Sequence, residues 1–139
     1  MAGKMTFAMI KPYAVKQGFI GPILAIINEA GFRISCIKST KLGRKEAEIF
    51  YSIHKSKPFY EDLVEFMSSG HVIAMILEKE NAVEEFRSLI GHTDPDKAED
   101  GTIRKKYATS VQSNAVHGSD SDENALIESD FFFSKKDRY

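Results

Sequence analysis

The sequence predicts an α+β domain with a ferredoxin-like fold, in which a split β-α-β arrangement builds a four-stranded, mainly antiparallel sheet with helices on one face. Short apolar segments alternate with amphipathic ones in the order strand, helix, strand, helix, strand, helix, strand. The chain has 139 residues and is 42% hydrophobic, which is enough for one core and too little for two. We therefore expect a single domain over residues 1–139, although the pattern alone is also compatible with other α/β topologies.

The first half of the chain predicts two strands that flank one helix. Residues 6–10 form an apolar run that Lys11 and Pro12 close, as expected of a buried strand. A helix follows, because apolar side chains recur at helical spacing before a glycine that suits a C-terminal cap: Ile20, Ile23, Leu24, Ile27 and Gly31. Residues 32–36 then alternate between apolar and polar side chains, which is the period of a half-buried strand.

The second half predicts two further strands and three helices. In chain order these are a helix with the apolar stripe Tyr60, Leu63, Val64 and Met67, a strand at 72–77, a helix at 83–90, a strand at 114–116, and a helix from Ser121 to Glu128. Gly70 and Gly91 mark two of the helix ends. The connection at 91–111 is longer than most in compact domains, and long ordered loops are usually functional.

The composition argues against several functional classes. A net charge of -1 and a pI of about 6.4 give no basic field, so no specific nucleic-acid partner is expected. The longest apolar run is far shorter than the roughly 20 residues that a membrane span needs, and the N-terminus shows no apolar signal segment. The single cysteine, Cys36, cannot form an internal disulfide. We expect a soluble, cytoplasmic protein.

The sharpest local signal is a histidine in a turn of small and polar residues. Gly118 and Ser119 follow His117 and add little bulk around its ring. A histidine nucleophile needs one neutral ring nitrogen free to attack and a partner on the other. Glu128 lies in the next predicted helix, where its carboxylate could provide that partner and stabilise a phosphoimidazole. On these residues alone, a histidine that only packs or caps at the turn is an equally good interpretation.

Three cations are placed where they could converge on a polyphosphate. Lys11 ends a strand, Arg87 lies in a helix and Arg104 lies in the long connection, where Thr93 adds a neutral donor. Guanidinium groups suit phosphate because their planar forks bind its oxygens bidentately. Each cation taken singly is more often a solvated surface charge. Only their joint appearance indicates a phosphate site.

An aromatic residue could hold a base. Phe59 follows Lys57 and Pro58 at the entry of a helix, and a phenylalanine face can stack on any base. For Phe59, as for Tyr51, a core or staple role is the commoner one when no other observation is considered. The sequence contains no Walker-type glycine loop, no Gly-x-Gly-x-x-Gly run and no paired Cys/His cluster, so a nucleotide would have to be held in another way.

Taken together, these fragments closely resemble the nucleoside diphosphate kinase family in order and spacing, over essentially the whole chain. The most specific fragment is Asn-x-x-His-Gly-Ser-Asp-Ser at residues 114–121. The others are Ile-Lys-Pro at 10–12, Lys-Pro-Phe at 57–59, Ser-Gly at 69–70 and Gly-Thr-Ile-Arg at 101–104. With its last residue at Tyr139, the chain is similar to the short, bacterial-type form of the family.

The resemblance implies an enzyme that moves the terminal phosphate from a nucleoside triphosphate to a nucleoside diphosphate through a phosphohistidine, in a ping-pong scheme. It also implies broad base specificity, Mg²⁺ on the phosphates with no metal-binding residue of the protein itself, and a homo-oligomer, either tetramer or hexamer. His117 matches the phosphorylated position, with Glu128 and Ser119 beside it. The residues that match nucleotide-binding and phosphate-binding positions are Lys11, Tyr51, Phe59, Arg87, Thr93, Arg104 and Asn114.

Some residues depart from the family pattern, and other functions remain open. Tyr13, His71 and Asp94 stand where the family usually has Asp or Asn, Pro and Asn, respectively. A catalytically silent ferredoxin-like nucleotide-binding module and a phosphohistidine hydrolase are the rival hypotheses. A requirement for an acceptor diphosphate would separate the kinase from both.

Overall fold

A computed structural model describes residues 3–138 of the chain. The strands of this described part are β1 (Met5–Ile10), β2 (Arg33–Lys41), β3 (His71–Glu78) and β4 (Val116–Gly118). Its α-helices are α1 (Pro12–Lys16), α2 (Ile20–Glu29), α3 (Arg44–Phe50), α4 (Tyr60–Met67), α5 (Ala82–Ile90), α6 (Ile103–Tyr107) and α7 (Asp122–Phe132). Two 3-10 turns, at Ser52–His54 and Lys135–Arg138, complete the structure.

The four described strands form one sheet in the order β2-β3-β1-β4, and every neighbouring pair is antiparallel. The long pairings lie in the centre, where β1 pairs with β3 from Met5 opposite Glu78 to Ile10 opposite Ile73. β4 is short and lies at the edge, where it pairs with the C-terminal part of β1. This arrangement confirms the predicted ferredoxin-like α+β fold.

Both faces of the sheet are buried, because side chains of β1 alternate between two cores. Ala8 and Ile10 point to a core that contains side chains of α2 and α5, among them Ile27 and Phe86. Phe7 and Met9 point to a second core. That core also contains Ala47 from α3, Val64 and Met67 from α4, and Phe132 from α7. Full burial of each of the larger apolar side chains contributes about 1.5–3 kcal/mol.

The second core corrects one detail of the prediction. The prediction placed the helices on one face of the sheet, which α2 and α5 cover. The other face is also covered, by α3, α4 and the end of α7. The physical reason is visible in the strands, since all residues of β3 from Val72 to Leu77 are apolar and buried. A strand that is apolar on both faces needs a partner on both faces.

The predicted last strand at 114–116 is also displaced, and β4 begins only at Val116. Ala115 has φ 73°, and the Val116 N–H donates to the Asn114 carbonyl at 2.9 Å, so residues 114–116 form a γ-turn instead. His117 therefore lies in the strand, opposite Met9, and not in a turn as predicted. The predicted N-cap of the last helix is confirmed, because the Ser121 hydroxyl accepts a hydrogen bond from the Asn124 N–H.

Candidate active site

Glycine lets the edge strand that carries His117 approach helix α5 closely. A Cβ atom on Gly118 would lie 2.9 Å from Cδ2 of Phe86 and 3.1 Å from Cδ1 of Ile90, both of which are fully buried. No larger side chain fits there without moving the core. The γ-turn at Ala115 precedes the strand, and the Ala115 carbonyl accepts a hydrogen bond from the Lys11 N–H at 2.9 Å. The backbone around His117 is thus fixed on both sides.

A chain of hydrogen bonds holds the His117 ring. Its Nε2 lies 2.9 Å from Oε1 of Glu128, and the Ser119 hydroxyl donates to the same oxygen at 2.7 Å. That hydroxyl is fully buried and also accepts from the N–H of Phe7 at 3.3 Å. Among the described residues nothing bonds to Nδ1 of His117. The carboxylate therefore fixes the tautomer with the proton on Nε2 and leaves Nδ1 with a free lone pair.

Aromatic side chains surround the histidine. The rings of Phe50 and Tyr51 meet the His117 ring edge-on, with centroids 5.5 and 6.2 Å away. Tyr51 is 5% exposed, and its hydroxyl is buried without a partner among the described residues. Burial, together with the nearby Glu128 carboxylate, raises the pKa of Tyr51. The hydroxyl thus stays protonated and remains available as a donor beside His117.

His117 opens into a cavity of about 580 Å³, a size typical of small-molecule sites. Nine of the ten residues singled out in the sequence line this cavity: Lys11, Tyr51, Phe59, Arg87, Thr93, Arg104, Asn114, His117 and Glu128. The tenth, Ser119, is buried behind it and bonded to Glu128. Residues from widely separated parts of the chain thus meet in one place, although their individual roles remain predictions.

Two of the cations in this cavity are buried. Lys11 is 7% exposed and donates from Nζ to Oδ1 of Asn114 at 2.7 Å. Arg104 is 9% exposed and donates to the carbonyls of Gly91 at 3.0 Å, Val116 at 2.9 Å and Asn114 at 3.3 Å. No ion pair within residues 3–138 includes either side chain. Two desolvated cations without a carboxylate partner are suited to an anionic ligand.

The electrostatic cost of this arrangement appears in the pKa values. Burial, and secondly the charge of Arg104, lowers the pKa of Lys11 from 10.5 to about 7. Burial, and secondly the charge of Arg87, lowers the pKa of Arg104 from 12.5 to about 10. A bound polyphosphate would reverse both effects, because negative charge favours the protonated forms.

Two loop residues organise the phosphate end of the cavity. Asn114 accepts from Lys11 and donates from Nδ2 to the Thr93 carbonyl at 3.3 Å, so it joins β1 to the loop after α5. Gly91 has φ 88°, and a Cβ atom there would lie 2.6 Å from the hydroxyl oxygen of Thr102. Only glycine adopts this conformation without strain, and its carbonyl then holds the Arg104 guanidinium.

Phe59 lies at the open end of the cavity. It is 48% exposed, so the core or staple role that its sequence context favoured is wrong. Its ring lies 5.7 Å from the ring of His54, and Nζ of Lys57 lies 5.7 Å from its centroid. Val111, which is 55% exposed, lines the same cavity. An exposed aromatic face and an exposed aliphatic side chain suit a planar base.

Sequence reasoning missed several residues that line the cavity. These are Phe50, Ile53, His54, Asp62, Leu63, Val111, Gln112 and Asn124, whereas Gly118 and Asp120, which also line the cavity, belong to the fragment at 114–121. The apolar ones look like ordinary core residues in the sequence, and their position follows only from how α3 and the 3-10 turn meet β4. His54 carried a usable signal, because it is a second histidine close to the aromatic pair Phe50 and Tyr51.

Of the three departures from the family pattern, Asp94 was the one that could place a negative charge near the phosphate site. Its Oδ1 accepts from the Asp96 N–H at 3.0 Å, and its own N–H donates to Nδ1 of His92 at 2.9 Å. It is not among the residues that line the main cavity. Tyr13 lies in α1 and His71 is the exposed first residue of β3, and neither lines the cavity.

The donor set of the cavity also bears on Mg²⁺. Residues 3–138 contain no group of three or more His, Cys, Asp or Glu side chains that could hold a metal ion by itself. Apart from Glu128, which bonds to His117, the cavity carboxylates are Asp62 and Asp120. A magnesium ion that arrives on phosphate oxygens and keeps several waters needs few protein ligands, so these residues fit such an ion.

Within this described part, no helix is long and apolar enough to cross a membrane.

Fold and site together define a nucleotide-binding phosphotransferase, and comparisons identify its family. A model of the family described as nucleoside diphosphate kinase matches residues 4–138. A nucleoside diphosphate kinase of Flavobacterium psychrophilum is 56% identical over 139 residues, with 100% of both chains covered. One of Chlorobaculum tepidum is 54% identical over 132 residues, with 95% of this chain and 94% of the relative covered.

Solved structures show the same likeness. A nucleoside diphosphate kinase of Aquifex aeolicus superposes with a TM-score of 0.95 at 38% identity, covering 98% of this chain and 99% of that one. A halophilic nucleoside diphosphate kinase of Halobacterium salinarum, solved in complex with CDP, gives a TM-score of 0.94 at 34% identity and covers 98% and 91%. The chain belongs to the nucleoside diphosphate kinase family, and its activity is that of a nucleoside diphosphate kinase.

Proposed function

We propose that this kinase moves the terminal phosphate from a nucleoside triphosphate to a nucleoside diphosphate by a ping-pong scheme in which Nδ1 of His117 is phosphorylated. The observation that carries the proposal is the hydrogen bond from Nε2 of His117 to Glu128, which leaves Nδ1 as the free nucleophile in a cavity that contains two buried, unpaired cations. One domain, residues 1–139, carries all the groups involved.

The first half-reaction forms one bond and breaks another. The Nδ1 lone pair attacks the terminal phosphorus, and the bond from that phosphorus to the bridging oxygen breaks in line with it. The bridging oxygen keeps the electron pair and leaves with the nucleoside diphosphate. In the second half-reaction a terminal oxygen of a different diphosphate attacks the phosphoimidazole and restores the free Nδ1 lone pair. One pocket therefore serves donor and acceptor in turn.

Glu128 and Ser119 make His117 suitable for both halves. Phosphorylation places a positive charge on the imidazole ring, and the Glu128 carboxylate, 2.9 Å from Nε2, stabilises it. The Ser119 hydroxyl holds that carboxylate in place at 2.7 Å, so Ser119 acts by positioning Glu128 and does not touch the phosphate.

The cations would bind the phosphates of the nucleotide, and the aromatic residue Phe59 would bind its base. The phosphates would be neutralised by three cations, Lys11, Arg87 and Arg104. The hydroxyls of Tyr51 and Thr93 would help to orient them. Asn114 couples Lys11 to this group. Phe59 would stack on the base without reading its edge, which is consistent with broad specificity for purines and pyrimidines.

We further propose that Mg²⁺ enters with the nucleotide. It would supply charge neutralisation between the phosphates, and Asp120, three residues after His117, is the cavity carboxylate best placed in sequence to face its waters. The protein's own part is to hold the phosphates with cations and to keep Nδ1 unprotonated.

A closed homo-oligomer, tetramer or hexamer, is part of the same proposal. β2 is nine residues long and, among the described strands, pairs only with β3, so one of its edges is not covered by another strand. Ile37 on this strand is 49% exposed. The free edge of a strand presents unpaired N–H and C=O groups that can pair with a strand of another chain. The buried free thiol of Cys36 suits a reducing compartment, and we propose the cytoplasm.

The experiment that tests the proposal is incubation with γ-labelled ATP and Mg²⁺, followed by a chase with unlabelled GDP. The wild type is compared with His117→Ala and, as a matched control, with His71→Ala, because His71 is exposed and outside the cavity. We expect acid-labile label on the wild type and the control alone, and release of that label as GTP. Equal labelling of His117→Ala would overturn the proposal, loss of label to water would favour a hydrolase, and nucleotide binding without label would favour a silent module.

A further inference from the structure

His54 lies in the same cavity as His117, and the mechanism above does not use it. It is the last residue of the 3-10 turn Ser52–His54 and is half-buried. Its ring stacks on Tyr51, with centroids 6.4 Å apart and an interplanar angle of 27°. The same tyrosine ring meets His117 at 6.2 Å. One aromatic residue therefore contacts both histidines and fixes where His54 stands relative to the reacting nitrogen.

The surroundings of His54 select one tautomer. Its Nδ1 is buried and has no hydrogen-bond partner among the described residues. A buried N–H without an acceptor is rarer and more costly than an acceptor with an unused lone pair. The neutral ring with its proton on Nε2 is therefore favoured. Because the ring is half-buried and lines the cavity, Nε2–H is the donor that it can present there.

Burial and two neighbouring groups lower the pKa of His54 and so favour the neutral ring. The charged and titratable groups around it are Lys57 in the loop before α4, His117 on β4 and Asp120 after β4. Burial is the main cause that lowers the pKa of His54, followed by Lys57 and His117, while Asp120 opposes them. Protonation would also place a second N–H at the buried, unpartnered Nδ1. The ring thus acts as a donor without adding a positive charge to the cavity.

We propose that His54 donates a hydrogen bond from Nε2 to the phosphoryl group while this group moves to and from His117. The inference rests on the proposed function, because it needs a phosphoryl group at His117. A phosphoryl group in transfer spreads its charge over three equatorial oxygens, so it gains from several donors that come from different sides. Lys11 lies between β1 and α1 and Arg104 lies in α6, whereas His54 comes from the 3-10 turn between α3 and α4.

Two variants separate the donor from the ring. His54→Gln keeps an N–H donor at a comparable reach and removes the aromatic packing, whereas His54→Phe keeps the ring against Tyr51 and Phe59 and removes the donor. Each is mixed with γ-labelled ATP and Mg²⁺ and quenched at short times to give the rate constant of His117 phosphorylation. The affinity for ADP, which lacks the phosphoryl group that is transferred, is measured by calorimetry in the same proteins.

We expect phosphorylation in His54→Phe to be about 10- to 100-fold slower than in the wild type, the range of one hydrogen bond to a charged group. His54→Gln should recover most of this rate, and ADP affinity should change less than about threefold in both, because only the transferred group is contacted. A normal rate in His54→Phe overturns the inference, as do equal losses in both variants. Failure of the proposed function is distinguished by the labelling of His117→Ala. If that function is wrong, His117→Ala takes up label from ATP, whichever residue is present at position 54.

Discussion

Replacing Lys11 by methionine is expected to stabilise the protein in the absence of nucleotide while it weakens nucleotide binding. Lys11 is 7% exposed, has Arg104 as a charged neighbour and has no carboxylate partner among the described residues. A pKa lowered from 10.5 to about 7 corresponds to a cost of about 5 kcal/mol for the charged form on folding. The variant removes this cost but leaves Oδ1 of Asn114 without its donor, which costs about 1–3 kcal/mol.

The net gain for Lys11→Met should be about 2–4 kcal/mol in the free energy of unfolding at neutral pH. Its pH dependence has a definite sign. The penalty on wild-type Lys11 is fully present below pH 7, where the lysine is charged in both states. Between pH 7 and about 10.5 the unfolded chain binds more protons than the folded one, so wild-type stability rises with pH and the variant's advantage shrinks.

Urea unfolding at about pH 7 and pH 9.5 tests this, with protein concentration held constant because an oligomer would make stability concentration-dependent. Lys16→Met is the matched control, since Lys16 ends α1, next in the chain to β1, and is exposed. The variant and wild type are then titrated with ADP. A Lys11→Met protein that is less stable than wild type at pH 7, or an advantage that does not shrink with pH, would refute the account of Lys11 as an unpaired buried cation.

Four further substitutions test other parts of the cavity. Phe59→Ala should weaken binding of ADP and CDP alike by about 1–2 kcal/mol, because stacking tolerates any base, and should leave stability unchanged since the side chain is 48% exposed. Gly91→Ala should destabilise the protein by about 1–3 kcal/mol, because φ is 88° and Thr102 lies 2.6 Å from the added Cβ, and should weaken phosphate binding through the displaced carbonyl. Glu128→Gln should slow phosphorylation of His117 by about 10- to 100-fold, and Ser119→Ala by only a few fold, because the carboxylate then keeps its bond to the histidine.

Each of these has a result that would contradict it. A selective loss of purine affinity in Phe59→Ala would mean that the aromatic face is not the base platform. Unchanged stability in Gly91→Ala, measured by urea unfolding, would show that the loop accommodates a side chain. Rapid-quench rates that fall more in Ser119→Ala than in Glu128→Gln would reverse the order of contact assigned to these two residues.

Much of the fold could be predicted from the sequence because its signals are local. The period of apolar side chains identified α2, α4 and α5, and the continuous apolar run at 72–77 identified β3 within one residue at each end. The second core was missed because it depends on long-range contacts. α3 has only one fully buried residue, Ala47, so its sequence gives little sign that it covers a face of the sheet.

The site shows the same division. The residues of the 114–121 fragment and the separated cations could be singled out, because their chemistry and order are visible in the sequence. Their burial could not, since Lys11 and Arg104 look like surface cations until the backbone carbonyls and Asn114 that enclose them are known. His117 was placed in a turn because the γ-turn at Ala115 is formed by a residue without any turn preference.

The measurement that tests the account most directly is the identification of the nitrogen that carries the phosphate. Protein labelled with ¹⁵N in histidine is phosphorylated with ATP and Mg²⁺, kept at alkaline pH, and examined by NMR for coupling between ³¹P and the ring nitrogens. The hydrogen bond between Nε2 of His117 and Glu128 predicts coupling to Nδ1 alone. Coupling to Nε2 would mean that Glu128 does not hold that nitrogen during catalysis, and the proposed roles of Glu128 and Ser119 would be wrong.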